Sequence, residues 1–349
     1  MEPIPEGSAD WTEPGLYTVA PGVHRIPLPL PNDGLRAVNV YALTDPSGGA
    51  DLALIDSGWA LTEAREQLAA ALKGLGAELG DVSQFLVTHV HRDHYTQAVA
   101  LRREFGGHIA LGALEEPSLR MTADPEVVPL VSQIRSLRAC GAGQVADELV
   151  RLFEVHGRNT EASIWELPDE WLSPGRRTVL PSRALDVVHT PGHTAGHVVF
   201  DDGAAGLMFT GDHVLPHITP SIGFQPAIAE LPLRDFLDSL RLVRGMPDRR
   251  MLPAHGPVAE SVHARVDELL DHHAQRLDVA ATTIVDGATT AYESAQRMGW
   301  TRRQRKLGDL DLFNQMLAVL ETAAHLDLLV HRGTLTLTVE DEVRRYSVA

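Results

Sequence analysis

A chain of 349 residues with 44% hydrophobic and 22% charged side chains has ample material for a core and length for a catalytic domain plus an appendage, which excludes the disordered and fibrous classes. Forty-seven Asp and Glu against 30 Lys and Arg leave a net charge of -17, which repels polyanions and makes nucleic acid a disfavoured partner. The single cysteine, Cys140, rules out an intrachain disulfide, and Met1 to Pro14 lacks a basic or apolar leader, so a cytoplasmic protein without a membrane span is expected.

From Leu16 to Asp56 the runs VHRIPLPL, AVNVYAL and LALIDSG read as short strands between Gly, Pro, Asn and Asp turns. Leu and Ala at helical spacing predict a helix over Leu61–Leu75, capped by Thr62 and ended by Gly74 and Gly76. The strand QFLVT runs directly into His89, and a second helix is expected over Tyr95–Phe105, ahead of the strand HIALGA. From about Leu114 to Pro174 the alternation gives way to mostly helical sequence, read as a lid inserted at 114–174. Phe153, Trp165, Trp171 and the stretch about Met121 are its candidates for an apolar pocket, although aromatic residues on inserted helices more often serve as core. Strands resume after Thr178 through LDVVHTP, HVVFD and GLMFTGD, with a hairpin at Asp202 and Gly203, and a helix near Leu231–Arg244 leads to MLPAHG. Beyond Val262 come helices and then LLVHRGTLTLTVE, two short strands about a Gly turn. The expected organisation is a catalytic domain over 1–260 and a small winged-helix-like domain over 261–349.

The strongest signal is Thr88-His89-Val90-His91-Arg92-Asp93-His94, four potential ligands in six residues at the end of a strand. Residues two apart in an extended segment share a face, so His89 and His91 can grip one ion, while Asp93 and His94 point elsewhere and leave room for a second. Imidazole and carboxylate are donors that zinc favours. Three later turns each offer one more ligand after a strand: His193 in TPGHT, Asp212 in TGDH and His255 in PAHG. Their Gly and Pro residues let the backbone bend so that the side chain projects into a cleft.

Together and in this order, these segments resemble the metallo-β-lactamase superfamily, whose pattern runs His-x-His-x-Asp-His, then His, Asp and His. The resemblance covers roughly residues 16–260 and implies an α+β fold, a four-layer αββα sandwich with metals at one edge. It implies His89, His91 and His193 on a first metal, Asp93, His94 and His255 on a second, and Asp212 bridging both. The implied cofactor is a pair of zinc ions, with iron or manganese as alternatives that ligand types do not separate. Asp56 matches an acidic position that supports a ligand from behind, although a turn Asp after a strand reads equally well on its own.

Such a centre lowers the pKa of a shared water toward about 7, so that hydroxide attacks, with Asp93 orienting it and Asp212 holding both ions. True β-lactamases of this fold generally carry Cys or Ser where this chain has Asp212. The resemblance is therefore to glyoxalase II and related thioester, ester and lactone hydrolases, acting on a small molecule, with a homodimer as an option. Two alternatives stay open: a phosphodiesterase or endoribonuclease, because some relatives with a winged-helix-like tail are endoribonucleases, and a mononuclear iron sulfur dioxygenase. The basic run Arg302-Arg303-Gln304-Arg305-Lys306 could contact phosphates, or equally dock a phosphate-bearing thioester such as an acyl-coenzyme A. His189, His197, His213 and His217 read first as structural, with His197 or His213 able to steady a ligand or donate to an oxyanion. Tyr95 stands where the family usually has small residues and reads as a packing or pocket residue.

Overall fold

The computed structural model describes the chain except residues 1–2, 8–9, 32–33, 46–50 and 157–163, and of 153–156 it describes the backbone alone. Phe153 therefore lies outside the described side chains.

Two sheets carry the fold. The first has eight strands in chain order: β1 (Ile4–Pro5), β2 (Tyr17–Ala20), β3 (Val23–Pro29), β4 (Ala37–Thr44), β5 (Leu52–Ile55), β6 (Val82–Val87), β7 (His108–Gly112) and β8 (Glu170–Leu172). From β2 to β5 neighbours are antiparallel, and from β5 to β8 they are parallel. The second sheet runs β13-β12-β11-β10-β9, from β9 (Gly175–Leu180), β10 (Arg183–His189), β11 (Val198–Asp202), β12 (Leu207–Gly211) and β13 (Arg250–Pro253).

Alternation along the strands decides the layers, because successive side chains point to opposite faces. In β4, Tyr41 and Leu43 join a buried cluster with Leu86 of β6 and with Val198, Phe200, Phe209 and Leu252 of the second sheet. Val38, Val40 and Ala42 of β4, with Phe85 and Val87 of β6, point the other way. There they meet α1 (Thr62–Gly74) through Ala64, Leu68 and Leu72, and α2 (Arg92–Phe105) through Tyr95, Ala98 and Val99. On the far side of the second sheet, Val199, Met208 and Met251 pack against Phe236, Leu237 and Leu240 of α6 (Pro232–Arg244). Three interfaces thus separate four layers, αββα, as the resemblance implies. Each fully buried Leu or Ile in them contributes about 1.5–3 kcal/mol.

That third cluster continues into the rest of the chain. Leu137 of α4 (Val131–Ala139) and Val145, Ala146 and Leu149 of α5 (Gly143–His156) share it with α7 (Val262–Val285), α8 (Ala291–Arg297) and α9 (Leu312–His331). α3 (Glu116–Ala123) precedes them, so the segment after Leu114 is helical as expected up to His156. Its end is not helical, because Glu170–Leu172 pairs with β7 as an edge strand of the first sheet.

Element boundaries differ in three places. Thr62 is the first residue of α1 and makes no capping bond. α2 begins at Arg92, not Tyr95, because His91 is extended and starts the helix; Asp93 then sits in the first turn, where the helix dipole favours a carboxylate. LLVH is the end of α9, with Leu328 and Leu329 buried, and the terminal hairpin is β14 (Leu335–Glu340) with β15 (Val343–Val348). Its turn is Asp341–Glu342, both at positive φ (49° and 65°), the conformation that a two-residue hairpin turn matched to strand twist requires. No helix among the described residues is long and apolar enough to cross a membrane.

Candidate metal centre

Strand direction brings the candidate ligands to one edge of the sandwich. β5, β6, β10, β12 and β13 all end there, delivering Asp56, His89, His193, Asp212 and His255 in the turns that follow. His91, Asp93 and His94 arrive on the start of α2. All seven residues singled out by the motif converge, in two groups: His89, His91, His193 and Asp212, then Asp93, His94 and His255.

The first group is a set of facing lone pairs. His91 Nε2–H donates to the Phe224 carbonyl at 2.9 Å and His193 Nδ1–H to the Ser221 carbonyl at 2.8 Å. The Thr88 hydroxyl donates to Asp56 at 3.0 Å, so it accepts from His89 Nδ1–H at 3.1 Å. Each imidazole has spent its proton outward. His89 Nε2 and His193 Nε2 each lie 3.0 Å from His91 Nδ1, with no hydrogen between them. Burial, with neighbouring imidazoles adding to it, pushes the pKa of His89 far down and that of His91 to about 4, so these rings are neutral, the form that binds metal.

In the second group His94 Nδ1–H donates to Asp56 at 2.9 Å and His255 Nδ1–H to the Ala37 carbonyl at 2.8 Å. His255 Nε2 is 3.4 Å from Asp93 Oδ2, and His94 Nε2 is 3.5 Å from the same oxygen. Burial opposes charge on His94, but the carboxylates of Asp93, Asp56 and Asp212 outweigh it and raise its pKa to about 10. The same contest raises His255, through Asp212 and Asp93.

Asp212 stands between the groups. Its Oδ2 lies 3.5 Å from His193 Nε2 and 4.0 Å from His89 Nε2, while its Oδ1 lies 3.4 Å from His255 Nε2 and 3.7 Å from His94 Nε2. Buried His94 Nε2, His255 Nε2 and Asp212 Oδ1 have no hydrogen-bond partner. A tetrahedral ion with bonds of about 2.0–2.2 Å holds its ligand atoms roughly 3.3–3.6 Å apart, so these orphaned atoms fit cations.

Residues 33–255 match the metallo-beta-lactamase superfamily. The chain belongs to the metallo-β-lactamase superfamily. It is a metal-dependent hydrolase by that membership. It is similar to the probable metallo-hydrolase YqjP of Bacillus subtilis, at 24% identity over 82% of this chain and 87% of that protein. It is also similar to an atrochrysone carboxyl ACP thioesterase of Aspergillus fumigatus, at 26% identity over 76% of this chain; the match spans 49% of the thioesterase. Among solved structures, a metallo-beta-lactamase family protein from Thermus thermophilus superposes with a TM-score of 0.77, at 27% identity, covering 95% of this chain and 100% of that one. A beta-lactamase domain protein from Burkholderia ambifaria gives 0.79, at 25% identity, over 96% and 94%.

Around the metallo-β-lactamase centre the remaining histidines separate. His197 is buried and acts on Asp212, whose backbone N–H donates to its Nε2 at 3.1 Å, while its Nδ1–H donates to Thr190 at 2.9 Å. Gly211 is pressed between them: at φ 49°, a Cβ there would lie 2.7 Å from His197 Nε2 and 2.8 Å from Thr88 Cβ. His213 is buried against Phe236, His189 bonds the Ala195 carbonyl at 2.8 Å, and His217 is exposed. Tyr95 is fully buried, stacks on Trp165 and donates to the Glu166 carbonyl at 2.6 Å, which makes it a packing residue. Trp165 and Trp171 pack on the cluster between the first sheet and its helices.

Two polar residues at the centre escape sequence reading. Asn39 donates to the Pro253 and Gly256 carbonyls at 2.9 and 2.8 Å, fixing the turn that carries His255. Glu115, buried, accepts from the Thr194 hydroxyl beside His193, and burial pushes its pKa up to about 7. Neither stands near a ligand in sequence, so no spacing signals it.

Proposed function

We propose that the chain is a dinuclear zinc hydrolase of a thioester, ester or lactone, with His89, His91 and His193 on one ion, Asp93, His94 and His255 on the other, and Asp212 shared. The observation that carries this reading is Asp212, whose two oxygens face the two groups separately. When bound, a pair of divalent ions supplies acidified water as a nucleophile near neutral pH and takes up negative charge on the substrate. The chain's part is orientation. Asp93, less deeply buried than His89, His94, His193 and His255, presents a carboxylate that can accept a proton from the attacking water, while the carbonyls of Ser221, Phe224 and Ala37 and the carboxylate of Asp56 hold the imidazoles in one tautomer.

Acyl chemistry is favoured over antibiotic hydrolysis by the carboxylate at position 212 and by the likeness to a thioesterase. A phosphodiesterase is the second reading. Among the described residues no carboxylate pairs with Arg302, Arg303, Arg305 or Lys306, and Arg302 reaches the loop after Asp212 by donating to the His217 carbonyl at 2.7 Å. The winged-helix-like reading of the C-terminal helices and hairpin belongs with that alternative. Asp212→Ala and His193→Ala are expected to lose metal and activity together while the fold survives; turnover retained in either variant sinks the proposal. Offering thioesters, lactones and single-stranded RNA to one zinc-loaded preparation separates the two readings. One iron per chain in protein purified without added metal would instead mark a dioxygenase.

A further inference from the structure

Residues 213–225 run from Asp212 toward His91 without helix or strand, so their carbonyls are not committed to a regular ladder. Two of these carbonyls, Ser221 and Phe224, orient His193 and His91. Two others at the same spacing of three, Leu215 and Ile218, accept from a helix outside the sandwich. One side chain holds both: Arg265 of α7 donates through Nε to the Leu215 carbonyl at 2.6 Å and through Nη2 to the Ile218 carbonyl at 3.0 Å. Its third nitrogen meets Glu268 at 2.7 Å, and the side chain is 17% exposed.

A planar guanidinium holds two acceptors in one rigid fork, whereas a lysine ammonium carries its donors as a point charge on a flexible stem. Among the described residues, the side-chain donors to carbonyls 215–218 are Arg265 and Arg302. Farther along, Gln133 of α4 donates to the Gln225 carbonyl at 3.0 Å and Phe313 of α9 packs edge-on against Phe224. The loop is therefore held from two sides: from the sandwich, where the Gly223 N–H donates to the Gly192 carbonyl at 3.4 Å and the Ala195 N–H to the Gln225 side chain at 2.7 Å, and from the helices outside it. The other imidazoles take their orientation elsewhere: His89 from Thr88, His94 from Asp56 and His255 from Ala37.

We infer that Arg265 is a positioning residue for the first metal position. By fixing the Leu215 and Ile218 carbonyls it sets the path of the loop, and so places the Ser221 and Phe224 carbonyls where they fix the tautomer and ring angle of His193 and His91. This rests on the reading that His89, His91 and His193 hold an ion. It ties the C-terminal helices to the first metal position through the loop's carbonyls; the same loop touches the other position only by packing, where Pro216 lies over Gly256.

The test uses the full chain loaded with zinc, titrated with a competing chelator and followed by metal content, with anomalous diffraction from the one-metal form to locate the remaining ion. Arg265→Ala is expected to release one ion per chain at about 10-fold lower chelator, as loss of an outer partner does, with the ion at Asp93, His94 and His255 retained. Arg265→Lys recovers part of the affinity, and Glu268→Ala behaves as the unaltered protein. Should Arg265→Ala fail to fold, Arg302→Ala carries the test at the same loop from an exposed turn, with a smaller shift in the same direction. Unaltered retention of both ions, equal loss of both, or loss from the second position overturns the inference. An unaltered chain that binds no zinc sinks the proposed function as well.

Discussion

Replacing Asp56 by Asn removes one charge and almost no volume, and so isolates what this carboxylate does for His94. Asp56 is 2% exposed and accepts from the Thr88 N–H at 2.8 Å, the Thr88 hydroxyl at 3.0 Å and His94 Nδ1–H at 2.9 Å. An amide has one accepting oxygen where the carboxylate has two. If that oxygen stays with Thr88, the amide NH2 meets His94 Nδ1–H donor to donor. His94 escapes by moving its proton to Nε2, the atom that faces Asp93 and Asp212 at 3.5 and 3.7 Å, and a protonated Nε2 is closed to metal. Loss of such a partner weakens metal binding about 10- to 100-fold, or about 1.4–2.7 kcal/mol. Asn tolerates the positive φ of 58° at this position, so backbone strain does not confuse the result. Chelator competition on zinc-loaded protein should release one ion per chain at about 10- to 100-fold lower chelator. Unchanged retention of both ions, or equal loss of both, would refute the tautomer argument.

In metal-free protein two opposed sets of histidines set the pH dependence. His94 and His255 have pKa values raised above 6.5, His94 to about 10, so their stabilising charge is present below 6.5 and lost as pH climbs through the raised values. His91 is lowered from 6.5 to about 4, so its contribution holds above 6.5 and fades as pH falls toward 4. The melting temperature in chelator should therefore peak near pH 6.5, and zinc should remove the alkaline fall by replacing the imidazolium protons; a flat metal-free profile up to pH 10 would contradict this. Asn39→Ala leaves two carbonyls beside His255 without their donor and should cost about 1–3 kcal/mol in denaturant unfolding, against no change if solvent replaces it. Gly211→Ala forces a Cβ against Thr88 and His197 and should displace Asp212, read as loss of bound zinc; full zinc content would show the turn can give. If the substrate is a coenzyme A thioester, neutralising Arg303, Arg305 and Lys306 together should raise KM for it several-fold at low salt and leave a phosphate-free thioester unchanged, whereas equal effects on both would dismiss phosphate docking.

What was legible in the sequence was whatever side-chain chemistry concentrates. His89, His91, Asp93 and His94 are rare residue types crowded into one turn, and His193, Asp212 and His255 each follow a strand beside Gly or Pro. Most strands of both sheets were readable for the same reason, since alternation is written in residue type, but β1 and the edge strand β8, which lies in the segment read as helical, were not. The start of α2 was not, because Arg92, Asp93 and His94 read as a ligand loop although they form the first helical turn. The terminal hairpin was misplaced because its turn uses Asp341 and Glu342 at positive φ without a glycine to announce it. Carbonyl acceptors are invisible in principle, since every residue has one: nothing in the letters distinguishes Ser221, Phe224 or Ala37. Arg265 acts on carbonyls fifty residues away in sequence at Leu215, a contact that only the packing of α7 creates.

Those invisible acceptors divide the centre between the two halves of the sandwich. His94 and His255 are oriented from the first sheet, by Asp56 at the end of β5 and by Ala37 at the start of β4. His91 and His193 are oriented by the loop that leaves β12 of the second sheet, and that loop is braced by Arg265, Arg302 and Gln133. His89, backed by Thr88 on the first sheet, crosses over, and Asp212 at the end of β12 joins the two positions. A metal pair bound there would hold the sheets in register at one edge, so each ion should respond to substitutions in a different layer. Asp56→Asn and Arg265→Ala then form a matched pair: the first should empty the position of His94 and His255, the second that of His91 and His193, and combining them should empty both, any departure from additivity measuring the coupling that Asp56 makes through Thr88 to His89.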